Sequence, residues 1–144
     1  EHDQNFKEVF GALQNHIPEQ GIFFNGEVFA AHHFISNLIR SAQSSIVLID
    51  NYVDDTTLTL FSKTKVKSII YTKNMTKKLN LDLNKYKQQY DNIELKQLKE
   101  AHDRFLIIDK DIYHIGASLK DLGKKWFAFS KIKEPITLLD KLPV

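Results

Sequence analysis

The sequence predicts an α/β domain built on a mixed, largely parallel sheet that is flanked by helices. Strand-like apolar runs alternate with amphipathic helical segments through the first two thirds of the chain, which is typical of parallel strands joined by helices. The last strand-like runs are separated by short turns, so an antiparallel hairpin is expected near the C-terminus. The length of 144 residues fits one such domain.

An N-terminal helix is predicted before this domain. Its apolar residues recur at helical spacing, and they are Phe6, Val9, Phe10, Leu13 and Ile17. Pro18 and Gly21 end the helical pattern. We therefore expect residues 1–20 to form a helix or linker and residues 21–144 to form the α/β domain.

Periodicity and turn residues predict the first elements of the domain. Two short apolar runs flank Asn25-Gly26, the strongest short signal for a β-hairpin. Apolar residues at helical spacing then predict a helix over about residues 30–43. The continuous apolar run at residues 45–50 predicts a buried strand with parallel neighbours.

The alternation of helices and strands continues to residue 98. Asp54-Asp55 is expected to start a short helix, because acids are favoured in the first turn. The pattern then predicts a strand at residues 66–72 and a helix with one solvated face at residues 75–90. It predicts a more exposed strand at residues 92–98.

The remaining elements are joined by short turns. A hairpin about Lys110 is predicted at residues 105–109 and 111–116, and a helical turn or loop is predicted at residues 119–125. Residues 126–132 predict a last strand, and a closing helix is expected with Pro135 in its first turn.

The charge of the chain is unevenly distributed. Residues 1–62 hold eight acidic and two basic side chains, a balance of −6, whereas residues 63–144 hold 18 basic and 10 acidic side chains, a balance of +8. A basic half suggests a polyanionic partner such as nucleic acid. A lysine-rich solvated surface explains the same composition and stays open as an alternative.

Several classes of protein are excluded or disfavoured by composition. The chain has no cysteine, so disulfides and thiolate metal sites are excluded, which suits a cytoplasmic protein. No apolar run approaches the roughly 18 residues of a membrane helix, and the polar first residues do not resemble a secretory signal. The only methionine is Met75, so we expect the chain to be part of a longer protein.

Residues 101–109, AHDRFLIID, place three ionisable side chains at the start of a hydrophobic strand and an acid at its end. A purely structural strand gains nothing from this arrangement, whereas a strand that carries an active site does. His102 and Arg104 are two residues apart on an extended chain, so their side chains point to the same side. Arg104 is suited there to bidentate phosphate binding.

The spacing of these residues resembles the HKD motif of the phospholipase D superfamily. His102, Arg104 and Asp109 stand where the motif has His, Lys and Asp, and residues 116–118, Gly-Ala-Ser, stand near its Gly-Ser pair. Arg replaces Lys, the serine is displaced by one position and no Asn follows. The resemblance covers about residues 21–134, and it implies the α/β fold of that superfamily, with the motif on the C-terminal hairpin.

A second resemblance concerns what precedes the domain. The segments DNYVDD, HDRFLIID and GASLKDLGKKWFAFS are similar to the C-terminal part of bacterial proteins that begin with a phage-type, KilA-N-like DNA-binding domain. This resemblance implies that a DNA-binding domain comes first in the full-length chain.

The first resemblance implies a metal-independent phosphodiesterase or nuclease that needs no cofactor. In the family, one His attacks phosphorus, a second protonates the leaving oxygen, and a carboxylate orients each imidazole. The catalytic residues would then be His102, Arg104 and Asp109, although Asp109 also fits a turn. One motif supplies one His, so the resemblance implies a two-fold homodimer with both His102 side chains at the interface.

Further phosphate-binding positions are predicted at the ends of the strands. Ligands of open α/β sheets bind beyond the carboxyl ends of the strands, which makes Asn51, Tyr52 and Lys73 candidates beside Arg104. The resemblance adds the hydroxyl of Ser118. Other roles stay open, namely a core or capping role for Asn51 and Tyr52, a solvated surface for Lys73 and a helix cap for Ser118.

Other conspicuous residues have structural interpretations. Trp126, Phe127 and Phe129 are interpreted as strand core before they are considered a platform for stacking bases. His32 and His33 are interpreted as surface residues of a helix, because a metal-binding pair would be four residues apart.

Two functions remain in competition at this point. The first is a homodimeric phosphodiesterase or nuclease that acts on nucleic acid or another phosphodiester. The second is a catalytically silent module for dimerisation and phosphate binding in a DNA-binding protein, favoured by the changes at Arg104 and Ser118. No membrane-binding helix is evident, so membrane association is not expected.

Overall fold

The computed structural model describes residues 17–133 and 137–143. Its strands are β1 (Gln20–Phe23), β2 (Ile46–Ile49), β3 (Ser68–Thr72), β4 (Ile93–Gln97), β5 (Arg104–Ile108), β6 (Asp111–Ile115) and β7 (Phe127–Ile132). Its helices are α1 (Val28–Ser41), α2 (Asp55–Phe61), α3 (Lys77–Lys87) and α4 (Thr137–Lys141), with a 3₁₀ helix at Leu119–Asp121. Residues 1–16 of the predicted N-terminal helix or linker lie outside the described residues, as does Pro135.

The seven strands form one mixed sheet in the order β1-β7-β6-β5-β2-β3-β4. Only β2–β3 and β3–β4 pair in parallel, whereas the other four pairs are antiparallel. The prediction of a largely parallel sheet is therefore wrong. The strand–helix alternation that supported it extends only to β4, and the chain then returns to the free side of β2 and adds antiparallel strands through short connections.

The hairpin predicted about Asn25-Gly26 is also wrong. The turn is present, since Gly26 has a left-handed backbone with φ of +85°, but the chain after it enters α1 instead of a strand. The apolar residues from Ala31 onwards follow helical spacing and are buried, so burial of the helix outweighs the local turn signal. β1 pairs with the distant strand β7 instead.

Three helices cover one face of the sheet. The buried residues of α1, α2 and α3 pack with inward residues of the strands in one cluster, which includes Ile35, Phe61, Leu79, Leu48 and Leu106. All four residues of β2 are buried, as expected for its continuous apolar run. Helix α2 begins as predicted, because the Asp54 side chain accepts hydrogen bonds from the first-turn amides in a capping box.

The other face carries a smaller cluster. Val47, Ile49, Tyr71 and Ile107 pack there with neighbouring residues, and leucines 138, 139 and 142 of the α4 region cover them. The Tyr71 hydroxyl donates a hydrogen bond of 2.8 Å to the carbonyl of residue 143. Within residues 17–133 and 137–143, no helix has the length and apolar character to cross a membrane.

Candidate functional site

Most of the predicted site residues lie at one edge of the sheet. The carboxyl ends of β2, β3 and β6 meet there with the amino end of β5, because β5 is antiparallel to β2 and β6. The structure brings five of the predicted residues to this edge, and they are Asn51, Tyr52, Lys73, Arg104 and Ser118. His102, two residues before Arg104, precedes β5 at the same edge.

Asp50 is the buried centre of this edge. Continuing the β2–β5 register beyond Ile49 and Phe105 places Asp50 beside Arg104. The Asp50 carboxylate accepts hydrogen bonds from the Ser118 hydroxyl at 3.0 Å, the Leu119 amide at 2.8 Å and the Tyr52 amide at 3.1 Å. It thus ties the segment after β6 to the end of β2.

The environment of Asp50 opposes its ionisation. Burial raises the pKa of Asp50, although the hydrogen bonds from Leu119, Tyr52 and Ser118 and the charge of Arg104 act in the opposite direction. The sequence analysis did not identify Asp50 as a site residue. The available signal was an acid directly after four apolar strand residues, at the carboxyl end of a buried strand.

Arg104 is fixed at one point and retains free donor capacity. Its Nη2 donates a hydrogen bond of 3.1 Å to the carbonyl of Gly116. Its Nε is buried without a hydrogen-bond partner among the described residues. Since this Nε has almost no accessible surface, a ligand would reach it only if the groups around it moved, and direct contact with a ligand would involve the other guanidinium nitrogens.

A cleft of about 540 Å³ opens in front of Arg104. It is lined by Tyr52, Arg104, Gly116, Ala117, Ser118, Asp121, Lys124, Lys125 and Trp126. The lining has three cations and one acid, and Asp121 is already paired with Lys120 at 3.0 Å and Lys124 at 3.3 Å. The cleft therefore has the charge to hold an anion.

Trp126 projects from the sheet rather than packing inside it. Phe127 and Phe129 are buried as predicted, but Trp126 is 68% exposed and lines the cleft. The interpretation of Trp126 as strand core is wrong. Because side chains alternate along a strand, two buried phenylalanines at positions 127 and 129 direct residues 126 and 128 to the other side.

Ser118 and Asn51 support the site through contacts within the protein. The Ser118 hydroxyl lies 2.9 Å from the Tyr52 carbonyl and 3.0 Å from both oxygens of Asp50, and Ser118 caps the 3₁₀ helix. The Asn51 side-chain amide donates a hydrogen bond of 2.9 Å to the carbonyl of Ala101, which positions the segment before His102. Both side chains are thus occupied with structural hydrogen bonds.

His102 and Lys73 are exposed at this edge. Within the described residues, the His102 imidazole has no hydrogen-bond partner, whereas its neighbour Asp103 lies 3.5 Å from Nε2 of His114. Lys73 follows β3 and does not contribute to the lining of the described cleft.

Asp109 is placed away from the other predicted site residues. It follows β5 at the opposite edge of the sheet, in a left-handed conformation with φ of +56°. Its carboxylate accepts hydrogen bonds from the amides of Gln43, Ser44 and Ser45 and from the Ser44 hydroxyl. The prediction that groups Asp109 with His102 and Arg104 is therefore corrected: the length of a strand separates them, and its carboxylate holds the loop between α1 and β2.

No family model matches the sequence, and no curated protein matches it. Solved structures share its fold. Nuc from Salmonella typhimurium, a phospholipase D family member, matches with a TM-score of 0.61 at 16% identity, over 84% of this chain and 86% of Nuc. NucT from Helicobacter pylori matches with a TM-score of 0.58 at 17% identity, over 84% and 89% of the two chains.

A third similar structure is TrmBL2, an archaeal chromatin protein with a novel mode of DNA binding. Its TM-score is 0.56 at 14% identity, and the match covers 97% of this chain and 58% of TrmBL2. At these identities the similarity concerns the fold, so the HKD-like motif and the relation to KilA-N-like proteins stay predictions. The chain has a mixed α/β phospholipase D-like fold.

Proposed function

We propose that this domain binds nucleic acid through the phosphodiester backbone, with Arg104 as the principal phosphate ligand. The observation that carries the proposal is the cleft itself. Arg104 lines this cleft together with Lys124 and Lys125, and among the described residues its guanidinium donates a hydrogen bond to one acceptor, the Gly116 carbonyl. A guanidinium is suited to phosphate because its planar donors match two phosphate oxygens.

The fold and the charge distribution support this proposal. TrmBL2 is described as a DNA-binding chromatin protein and Nuc as a phospholipase D family member, so related folds serve DNA binding and phosphodiester chemistry. The balance of +8 over residues 63–144 places most of the positive charge in the half of the chain that contains the cleft lysines.

Binding without efficient cleavage fits the described chain better than turnover. Asp109 is at the far edge of the sheet, and no described residue holds the His102 imidazole in one tautomer. Arg104 is also bulkier than the Lys of the motif, and a misplacement of about one ångström costs on the order of a hundredfold in rate. The phosphate-binding module is therefore preferred, and the metal-independent nuclease is the second candidate.

The nuclease candidate depends on a homodimer. Nucleophilic attack by one imidazole and protonation of the leaving oxygen by another require two histidines. A two-fold axis at this edge of the sheet would supply His102 from each chain, and the exposure of His102 leaves its imidazole accessible to a second copy.

Nucleic-acid binding and cleavage are tested together with a labelled oligonucleotide. Arg104→Ala should weaken binding and reduce the slope of log affinity against log salt by about one. Lys110→Ala is the matched control, because it removes one exposed cation at the opposite edge of the sheet. Equal binding by wild type and Arg104→Ala would refute the proposed phosphate ligand.

Cleavage is assayed with wild type, His102→Ala and Arg104→Lys, each with EDTA. We expect weak or absent wild-type cleavage and a gain in Arg104→Lys. Robust wild-type turnover that His102→Ala abolishes would establish the nuclease instead. Activity that EDTA removes would contradict the metal-independent mechanism.

A further inference from the structure

Resting on the nucleic-acid-binding role proposed above, we infer that the cleft takes single-stranded nucleic acid and stacks an unpaired base on the indole of Trp126. The ligand chemistry is an unpaired nucleobase beside a phosphodiester, which both single-stranded DNA and single-stranded RNA offer. This inference adds a base-binding position to the phosphate-binding position at Arg104.

Trp126 is held in an exposed position by the sheet. The β1–β7 register pairs Phe23 with Phe127, and its continuation places Trp126 opposite Phe24. The rings of Phe24 and Trp126 meet edge to face, with centroids 4.7 Å apart and planes at 89°. Trp126 nevertheless remains 68% exposed, so the protein orients a large aromatic ring without burying it.

The indole lies close to the proposed phosphate ligand. The Arg104 guanidinium contacts the Gly116 carbonyl at 3.1 Å, and the Gly116 amide donates a hydrogen bond of 2.8 Å to the Ala128 carbonyl. Trp126 precedes Ala128 by two residues, or about 7 Å along the strand. Tyr52, which is 54% exposed, lines the same cleft.

This combination of groups distinguishes single strands from duplexes. Every nucleobase has an aromatic face, and stacking on tryptophan or tyrosine is the usual way in which proteins bind unpaired bases without sequence preference. Inside a duplex, the neighbouring base pairs cover both faces, so a duplex offers the cleft only its phosphates. The lysines 124 and 125 and Arg104 supply the cations that follow a backbone beside such a ring.

The test uses the intrinsic fluorescence of Trp126, which is the only tryptophan in the sequence. A single-stranded oligonucleotide should quench this fluorescence. An abasic oligonucleotide of equal length presents the same phosphates without bases, and a duplex whose two ends are closed by non-nucleotide linkers presents no unpaired base or open end. Both should bind more weakly than the single strand and leave the fluorescence largely unchanged.

Variants separate stacking from phosphate contacts, with affinity measured from the anisotropy of a labelled strand. Trp126→Ala should weaken single-strand binding by roughly 5- to 150-fold, the range expected for loss of one stacked base. Trp126→Phe should retain most of the affinity, which keeps the test valid if the alanine variant is unstable. Phe29→Ala is the control, since Phe29 is 83% exposed on α1 and is not part of the cleft lining.

The outcomes distinguish this inference from the proposed function. If single strand, abasic strand and closed duplex bind equally and Trp126→Ala has no effect, base stacking is refuted while nucleic-acid binding stands. If none of these nucleic acids binds, both the stacking inference and the proposed nucleic-acid-binding function are refuted. Quenching by single-stranded DNA or single-stranded RNA supports the inference, and comparing the two strands of equal sequence shows which sugar the cleft accepts.

Discussion

At the scale of single residues, the carboxylate of Asp50 determines the charge that a ligand of Arg104 meets. When Asp50 is ionised, it stabilises the guanidinium but lowers the net positive charge of the cleft. Because burial raises the pKa of Asp50, its protonation occurs at a higher pH than for an ordinary carboxyl group. When the pH is below this raised pKa, Asp50 is neutral and leaves the Arg104 charge uncompensated. When the pH is above it, an anion in the cleft meets an Asp50–Arg104 pair with no net charge.

Sulfate affinity should therefore fall as the pH rises through the pKa of Asp50. We expect a change on the order of 1 kcal/mol, or about fivefold, for the loss of one nearby opposing charge. Titration calorimetry with sulfate in a His102→Ala background removes the contribution of that imidazole. Asp50→Asn should abolish the pH dependence, and a dependence that persists in this variant would show that another group controls it.

The carboxylate of Asp109 should contribute to stability rather than to binding. Burial opposes its ionisation, but hydrogen bonds from Ser44, Ser45 and Gln43 outweigh it, so the pKa of Asp109 lies below its ordinary value. Asp109→Asn retains a residue that tolerates the left-handed backbone and should lower the free energy of unfolding by about 1–3 kcal/mol at neutral pH. Denaturant titrations of both proteins measure this difference.

The same variant has a defined pH dependence. A depressed native pKa gives stability that is present above the unfolded pKa of about 3.9 and is lost as the pH falls through the native pKa. The difference between wild type and Asp109→Asn should therefore shrink in acid. Sulfate binding at neutral pH should be unchanged, and a large loss of binding in a folded variant would restore Asp109 to the functional site.

The residues of the site differ in how far the sequence reveals them. His102 and Arg104 could be predicted because their spacing along one strand is a local pattern. The role of Asp50 could not, since its contacts with Ser118 and Arg104 depend on the pairing of distant strands. The exposure of Trp126 follows from alternation, but only once the inward face of β7 is known.

At the scale of elements, the turn between β1 and α1 is hydrogen-bonded to the segment that follows the 3₁₀ helix and packs closely on it. The Gly26 amide donates a hydrogen bond of 3.2 Å to the Gly123 carbonyl. Gly123 itself has φ of +77°, and a Cβ there would lie 2.5 Å from the Cα of Val28. The start of α1 thus packs directly on the backbone beside the cleft.

Gly123→Ala should be much more destabilising than Gly26→Ala. Both residues have a left-handed backbone, which costs a side chain about 1–2 kcal/mol. A Cβ at Gly26 meets nothing within 4 Å, whereas one at Gly123 collides with Val28, so its cost should exceed the strain alone. Thermal unfolding of the two variants gives the comparison, and equal melting temperatures would contradict the close packing.

The elements themselves were largely predictable, and their partners were not. The short apolar runs and helical periods gave β2, β3, α1 and α3 to within a few residues, because these patterns reflect local burial. The turn at Asn25-Gly26 failed as a hairpin signal because a turn specifies a change of direction and not the element that follows it.

At the scale of the whole molecule, we predict a homodimer in solution. The prediction is motivated by the single HKD-like motif that the sequence predicts and by the exposure of His102. Light scattering at micromolar concentration should give twice the monomer mass, and a crystal should bring two His102 side chains together across a two-fold axis. A monomer mass, with His102 far from any symmetry mate, would exclude the paired-histidine mechanism.

The order of the sheet was beyond prediction from the sequence. β5 lies antiparallel between β2 and β6, and β1 lies outside β7. Each placement depends on pairing between segments far apart in the chain, and the apolar pattern of a strand does not identify its neighbour.

The position of β1 has a consequence for how the protein is made. Gln20 of β1 pairs with Ser130 of β7. β1 is the first of the described strands to be synthesised and β7 is the last, so β1 cannot pair until β7 has left the ribosome. At about 5–20 residues per second, the residues of β1 remain without their partners in β7 for roughly 5–20 seconds. Ile22 and Phe23 are exposed to chaperones and other nascent chains during that interval, and the sheet closes only when translation of β7 is complete.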